Sequence, residues 1–420
     1  MAGMRLFSLC VLLCWFVGIS SAAPSGFNFE ETSFNDTLDG RSLKEREVFF
    51  TCGDPNFSPL LAEAIQDAER IMQNMIDHLE LAISLYDEDA SGELKADKRT
   101  RTQRTFDEHN AIMTYSMVIS KIYFGPGNGL NESGLEKLKG TRDLAKTMHS
   151  QYSAFIAGQP VRWVRGGFPY LTIYCDDAEV YSERNSRGLT YTEATGNAST
   201  KVSNGKTLYW INQRRGVENG GEAWLLRDAV CALQPGTGQT RFGIVPANPN
   251  ISAYVYPPDK TVIEETMVFC PTKFDEWTTI EASRIASGLH HRNLHVDIGS
   301  HPTDAQNAAA LRLLAEPDFT TNVPPRSFRW LSDPLVATFI HESAHGFAFT
   351  GTGNTLIDVL CKKGTPDEQT TTSPSCLAQV ARDLEGHRDA EAFAMYAMAT
   401  WANAVFWARF KPLGRDTYTD

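Results

Sequence analysis

Two histidines four residues apart, with a glutamate directly after the first, occur in the segment FIHESAHGF, residues 339–347. One turn of an α-helix takes about 3.6 residues, so His341 and His345 project from the same helix face. Two neutral imidazoles so placed can share a zinc ion, and Glu342 lies where it could take a proton from a water on that ion. The segment predicts metal-assisted peptide hydrolysis, with one Zn²⁺ per chain and Glu342 as general base. The alternative is a polar cluster on a helix face, satisfied by hydrogen bonds.

A single helix is expected to carry all three residues. Ser332 or Asp333 can accept hydrogen bonds from the free amides of the first turn, and Pro334 suits the first helical position. Glycine tolerates the left-handed conformation that ends many helices, which predicts an end near Gly351 or Gly353. Both histidines should then lie well inside regular helix.

A catalytic zinc ion normally has three protein ligands and a water, so the third ligand must come from another segment. The stretch HESAHGFAFTGTGNTLID, residues 341–358, resembles the aspzincin metalloendopeptidases, the fungal deuterolysins and peptidyl-Lys metalloendopeptidases. Their motif is HExxH followed by GTxDxxYG, with the aspartate as third ligand and the tyrosine supporting the oxyanion. The segments HRDAEAFAMYA, VFCPTKF and YFG (residues 123–125) are similar to parts of those enzymes too. The resemblance implies a zincin-like fold and a divergent member of this family of zinc endopeptidases. It is strongest at residues 339–353.

The chain departs from the family motif after Gly351. Asn354 falls at the ligand position and Ile357 at the tyrosine position. An amide is a poorer zinc ligand than a carboxylate, so we rank Asp358 first as third ligand, Glu391 second and Asn354 third. Glu391 could instead hydrogen-bond a ligand histidine from outside, and His387 lies one turn before it on the same face. Loss of catalysis, with metal or peptide binding retained, is the alternative function.

One further residue and one further segment are candidates for the site. Tyr396 is the nearest candidate for a replacement phenol, but a tyrosine in an apolar helix is more often core. The segment GLHHRNLHVDIGSHP, residues 288–302, is rich in histidine. It could bind a second ion or flank the cleft, but its spacing fits no metal motif, and we interpret it as a polar connection outside the site.

The N-terminus indicates export. Arg5 precedes an apolar run, Leu6 to Ile19, and small residues follow it, which predicts a signal peptide at residues 1–22 and a secreted protein. Four glycosylation patterns agree with a glycoprotein; they lie at Asn35, Asn131, Asn197 and Asn250. Six cysteines remain after the signal, enough for three disulfides, and Cys361 and Cys376 flank a polar segment that favours a local bridge between them.

Charge and periodicity give the remaining expectations. The net charge of −12 argues against a nucleic-acid partner. The apolar stretch at residues 392–408 contains Asn403 and is short for a membrane span, so it predicts a buried helix and no membrane association. Helical patterns at residues 59–86, 105–125 and 134–157 precede short strand-like runs, and helical patterns return after residue 275. We expect an α+β, mainly helical fold with a small sheet over residues 53–420, after a flexible leader or possible pro-segment at 23–52. We expect a monomer that acts on a protein or peptide substrate.

Overall fold

A computed structural model of the 420-residue chain describes part of the sequence, all of it within a unit of residues 38–420. The described residues are 48–51, 57–84, 132–157, 171–175, 181–182, 187–189, 193–194, 196, 207–211, 224–227, 231, 252–256, 265–298, 300–316, 330–351, 354–361, 376, 379–380, 386–406 and 411–412. The predicted signal peptide, the four glycosylation sites, the helix at 105–125 and the YFG segment lie outside them.

Helices dominate the described residues. They are α1 (Phe57–Ser84), α2 (Glu132–Ile156), α3 (Pro271–Ser287), α4 (Asp304–Ala315), α5 (Leu335–His345), α6 (Phe347–Thr350) and α7 (Ala390–Trp401). Single 3-10 turns occupy His291–Leu294 and Gly386–Arg388. The helices expected at 59–86 and 134–157 are confirmed, each with bounds shifted by one or two residues.

The strands form three small sheets. They are β1 (Val48–Thr51), β2 (Leu171–Tyr174), β3 (Tyr181–Ser182), β4 (Thr207–Ile211), β5 (Trp224–Arg227), β6 (Ala253–Tyr256), β7 (Glu265–Phe269), β8 (Val405–Phe406) and β9 (Lys411–Pro412). The largest sheet has the order β1-β2-β7-β6, in which β1, β2 and β7 are parallel and β6 is antiparallel to β7. The other two sheets are antiparallel, β3-β4-β5 and β8-β9. The prediction of a mixed α+β chain, mostly helical, is confirmed at that level.

One strand of the largest sheet lies within residues 23–52, the segment predicted to be a leader or pro-segment. Residues Val48–Thr51 form β1, which pairs in parallel with β2 from Val48 opposite Leu171. The run VFFT consists of β-branched and aromatic residues, which favour strands, but it is only four residues long and follows a largely polar stretch. These four residues belong to the sheet, and the assignment of residues 23–52 to a leader or possible pro-segment stays a prediction.

The core is built around α7, all of whose twelve residues are buried. Helices α1 and α5 pack against α7 and against each other, and α2 packs on α1. A helix that is apolar nearly all round belongs inside a protein, so the expected buried helix is confirmed, although it ends at Trp401 rather than near residue 408. Among the described residues, no helix combines the length and the apolar character needed to cross a bilayer.

Two disulfides are present among the described cysteines. Cys361 is bonded to Cys376, as predicted from the polar segment between them, and Cys231 is bonded to Cys270 at the N-terminus of α3. Cys175, at the end of β2, is disulfide-bonded as well. Such bonds are typical of proteins that mature in an oxidising compartment.

Candidate metal centre

Helix α5 carries the two histidines, but its ends differ from the prediction. Pro334 is the N-cap residue, with an extended backbone (φ −62°, ψ 146°), and no side chain caps the helix. The helix therefore starts at Leu335, and neither Ser332 nor Asp333 is its N-cap residue. His345 is its last residue, since Gly346 is again extended (φ −82°, ψ 130°).

The early end of α5 has its cause in β7. The buried carboxyl group of Glu265 accepts a hydrogen bond from the backbone N–H of Ala348, at 2.7 Å, and another from that of Phe347. These N–H groups begin α6, so the carboxyl group caps a new helix at the point where α5 stops. A Cβ on Gly346 would overlap Glu265 Oε1. Burial raises the pKa of Glu265 to about 8.

An aromatic cluster holds α5 from the side away from the histidines. The ring of Phe339 lies 5.3 Å from that of Tyr152, 5.8 Å from that of Phe349 and 6.3 Å from that of Phe269. His341 follows Phe339 by two residues, a rotation of about 200° around the helix axis. The packed face of α5 thus fixes the direction of the histidine face.

His341 and His345 approach each other through equivalent ring atoms. Their Nε2 atoms are 3.1 Å apart and the rings are nearly perpendicular, at 82°. Both side chains are largely buried, at 15 and 18 % exposure. The spacing in the sequence therefore places the two nitrogens as close together as two ligands of one ion.

The loop after Gly351 is held at several points. Leu356 donates its backbone N–H to Ala344 O at 2.8 Å, which ties the loop to α5. Ile357 donates to Arg388 O at 2.9 Å, and its carbonyl accepts from Ala390 N at 3.1 Å, so it pairs like a short strand with the entry to α7. Asp358 directly follows these two anchored residues, and the hydrogen bonds direct it towards α5.

The carboxylate of Asp358 completes a group of three possible ligands. Its Oδ1 lies 3.3 Å from His341 Nε2 and 3.2 Å from His345 Nε2. The Asp358 side chain is 45 % exposed, so the group opens to solvent on this side. With three donor atoms from two elements at mutual distances of 3.1 to 3.3 Å, the group could hold a metal ion.

The hydrogen bonds at Nδ1, the outer ring nitrogen of each histidine, decide whether Nε2, the inner nitrogen, carries a proton or a lone pair. His345 Nδ1 lies 2.9 Å from the carbonyl oxygen of Leu356, which can only accept, so Nδ1 carries the proton. In the neutral ring Nε2 is then a lone pair. His341 Nδ1 lies 3.0 Å from Glu391 Oε2, which favours the same tautomer although the contact is not aligned with the ring N–H. Three lone pairs therefore converge, and only a proton or a cation between them relieves their repulsion.

The pKa directions agree with a site that attracts positive charge. Burial opposes protonation of His341, but Asp358 and Glu391 together raise its pKa well above the usual value. Burial likewise opposes ionisation of Asp358, but the two histidines bring its pKa well below the usual range. Glu342 is 6 % exposed, and burial raises its pKa. The carboxyl groups of Glu342, Asp358 and Glu391 thus lie around the two imidazole rings. This arrangement favours a bound proton or metal cation.

The structure separates the three candidates for a third ligand. Asp358 lies against both histidines, whereas Glu391 lies behind His341, at the nitrogen that faces away from His345. Asn354 is exposed, and its side-chain amide donates to Thr350 O at 3.5 Å. His387 lies on the 3-10 turn before α7 and is not in the group.

The residue that the resemblance aligns with the family's tyrosine is an isoleucine. Ile357, which falls at the family's tyrosine position, is 47 % exposed, and Tyr396 is fully buried in the hydrophobic core. The tendency of tyrosines in apolar helices to be core residues therefore holds for Tyr396.

Two residues that position the site were not predicted from the sequence. Asp389 accepts hydrogen bonds from Val359 N at 2.9 Å and from Ala392 N at 2.8 Å, which joins the Asp358 loop to α7. An aspartate just before a helical run signals an N-cap, so half of this role was available in the sequence. Glu265 lies 83 residues before Ala348, and no local pattern links the two.

Comparison of the chain with protein-family models, curated proteins and solved structures finds no match among any of them. The resemblance to aspzincins therefore remains a prediction from the residues quoted above.

Proposed function

We propose that the chain is a secreted zinc endopeptidase of zincin-like fold, a divergent relative of the aspzincins. His341, His345 and Asp358 would hold the zinc ion, and Glu342 would act as general base. The substrate is a protein or peptide, and the enzyme acts as a monomer. The disulfides and the predicted signal peptide support secretion.

The observation that carries the proposal is the spacing of the three ligand atoms. A tetrahedral zinc ion with bonds of about 2.0–2.1 Å separates its ligand atoms by about 3.3–3.4 Å. The separations here are 3.1, 3.2 and 3.3 Å, and all three atoms offer lone pairs. Two imidazoles with one carboxylate suit zinc better than magnesium or calcium, which prefer oxygen ligands. The residues fit the ion.

The remaining chemistry belongs to residues of the chain. Zn²⁺ in such a site supplies Lewis acidity, which lowers the pKa of a coordinated water and polarises a carbonyl oxygen. Glu342, on the helix turn between the two histidines, can accept a proton and deliver it to a leaving amine. Glu391 and the Leu356 carbonyl keep the outer nitrogens protonated, so the inner nitrogens stay free to bind the ion.

The test compares wild type with Glu342→Gln, an isosteric change that removes the base. Both proteins should bind zinc, and hydrolysis of denatured casein should fall by about 10²–10⁴-fold in the variant. Glu136→Gln is a matched control, since Glu136 is an exposed residue on α2 that pairs with Lys139. Equal hydrolysis by wild type and Glu342→Gln, with zinc bound, would rule out the assigned base.

A second candidate is a secreted zincin-fold protein that binds metal or peptide without turnover. Ile357 at the position of the family's tyrosine and Asn354 at the position of its ligand favour it. This candidate predicts that wild type binds zinc at His341 and His345 but hydrolyses casein no faster than Glu342→Gln, even after removal of any leader.

A further inference from the structure

The histidine-rich segment that the sequence left outside the site contains a second group of possible ligands. Helix α3 ends at Gly288, whose left-handed backbone (φ 70°) reverses the chain. His290 then returns to the last turns of α3, where its Nε2 lies 3.0 Å from Glu281 Oε2. Both side chains are nearly buried, at 12 and 13 % exposure.

His291 is oriented from its far side by a buried carboxylate. Its Nε2 lies 2.8 Å from Asp67 Oδ2 on α1, and Arg292 Nε also binds this carboxylate, at 2.9 and 3.0 Å from its two oxygens. The carboxylate accepts, so Nε2 carries the proton of the ring. In the neutral ring Nδ1 then carries no proton and offers a lone pair.

That lone pair has no partner among the described residues. His291 is 2 % exposed, and its buried Nδ1 makes no hydrogen bond. Glu281 Oε2 is buried as well, and its contact with His290 Nε2 at 3.0 Å is not aligned as a hydrogen bond. A buried acceptor without a hydrogen bond is unfavourable. The unpaired Nδ1 next to a buried carboxylate is a combination that a bound cation would satisfy.

We propose that Glu281, His290 and His291 form a second binding site for a divalent cation of the zinc class. One donor atom from each of the three residues lies within 4.8 Å of the others. Asp67 holds His291 as carboxylates commonly hold ligand histidines. The mixed nitrogen and oxygen donors suit zinc rather than calcium or magnesium. The ion would join α3 and the following turn to α1, and the site does not depend on the proposed peptidase function.

Binding requires a small rearrangement at His290. Its Nδ1 lies 3.4 Å from the backbone N of Arg292, a long contact in which Nδ1 accepts. When a cation takes Nε2, the proton of the neutral ring moves to Nδ1 and this contact is given up. The donor atoms also move closer, since 4.8 Å exceeds the separation of about 3.3 Å around zinc. The partly exposed side chains of His290 and Glu281 allow both changes.

The test counts zinc ions per chain in the purified full-length mature protein, by elemental analysis after dialysis against micromolar Zn²⁺. Wild type should hold two ions, Glu281→Gln one, and His341→Ala/His345→Ala one. His149→Ala, which breaks a histidine–glutamate contact of 3.0 Å between α2 and α1, is the control and should hold two. Circular dichroism establishes that each variant is folded.

His290→Asn provides a second route if Glu281→Gln does not fold. Asparagine can still cap the 3-10 turn but removes the imidazole, so this variant should also hold one ion. The site is overturned if the folded Glu281→Gln or His290→Asn protein keeps the wild-type count. If the folded His341→Ala/His345→Ala protein binds no zinc, the second site is also overturned, whereas the proposal of a zinc centre at His341 and His345 still stands. A wild type with one ion that Glu281→Gln loses would instead support the second site and contradict the first.

Discussion

Asp389 is expected to hold Asp358, the proposed third metal ligand, in place without binding the metal itself. It is fully buried, and its carboxylate accepts hydrogen bonds from Val359 N at 2.9 Å and Ala392 N at 2.8 Å. Replacement by alanine removes the N-cap of α7, which costs about 1 kcal/mol of unfolding free energy. It also leaves the buried N–H of Val359 without this acceptor, which costs about 1–3 kcal/mol. We expect Asp389→Ala to lower the unfolding free energy by about 2–4 kcal/mol.

The same change should weaken metal binding. Val359 directly follows Asp358, so a loosened Val359 gives the ligand carboxylate more freedom before it binds. Partners that orient ligands from outside typically contribute about 10–100-fold to metal affinity. Thr303→Ala is the control, because Thr303 caps a different helix, α4, through Gln306 N at 3.2 Å. It should lower stability by about 1 kcal/mol and leave zinc affinity unchanged.

Urea unfolding of the metal-free proteins measures the first effect, and zinc titration calorimetry of the folded proteins measures the second. A folded Asp389→Ala protein with wild-type zinc affinity would refute the reasoning, because Asp358 would then be held without this carboxylate. An equal loss of affinity in Thr303→Ala would refute it too, since the effect would then follow general stability.

Three further predictions concern the site and its supports. Glu265 keeps its proton in the folded protein up to pH about 8 but releases it near pH 4.5 when unfolded, so stability should fall as the pH rises through this window. Glu265→Gln should remove a slope of about 1.4 kcal/mol per pH unit, measured by urea unfolding between pH 5 and 7, and parallel curves for both proteins would contradict this. Glu391→Gln should weaken zinc binding by about 10–100-fold and Asp358→Asn by more, in zinc titrations; the reverse order would make Glu391 the direct ligand. Replacing Cys361 and Cys376 by alanine opens a loop with a sequence separation of 15 and should cost about 3 kcal/mol in urea unfolding; an unchanged midpoint would show that the bridge does not stabilise the fold.

The sequence by itself determined the features that depend on short separations. The i, i+4 spacing of His341 and His345 places both rings on one helix face, whatever else the chain does. The bridge between Cys361 and Cys376 closes a short polar loop, and the apolar run that became α7 had to be buried. The mixed α+β character followed from periodicity in the same local way.

Only the tertiary structure decided which carboxyl group reaches the histidines and where α5 ends. After Gly351 the chain has enough freedom for Asn354 or Asp358 to turn towards α5, and their order along the sequence does not choose between them. The choice is made by backbone pairing of Ile357 with the entry to α7, which brings together segments about thirty residues apart. Likewise the end of α5 is set by Glu265, a buried residue 83 positions before the N–H group that it binds. Such long-range contacts depend on the packing of whole elements, which no local pattern specifies.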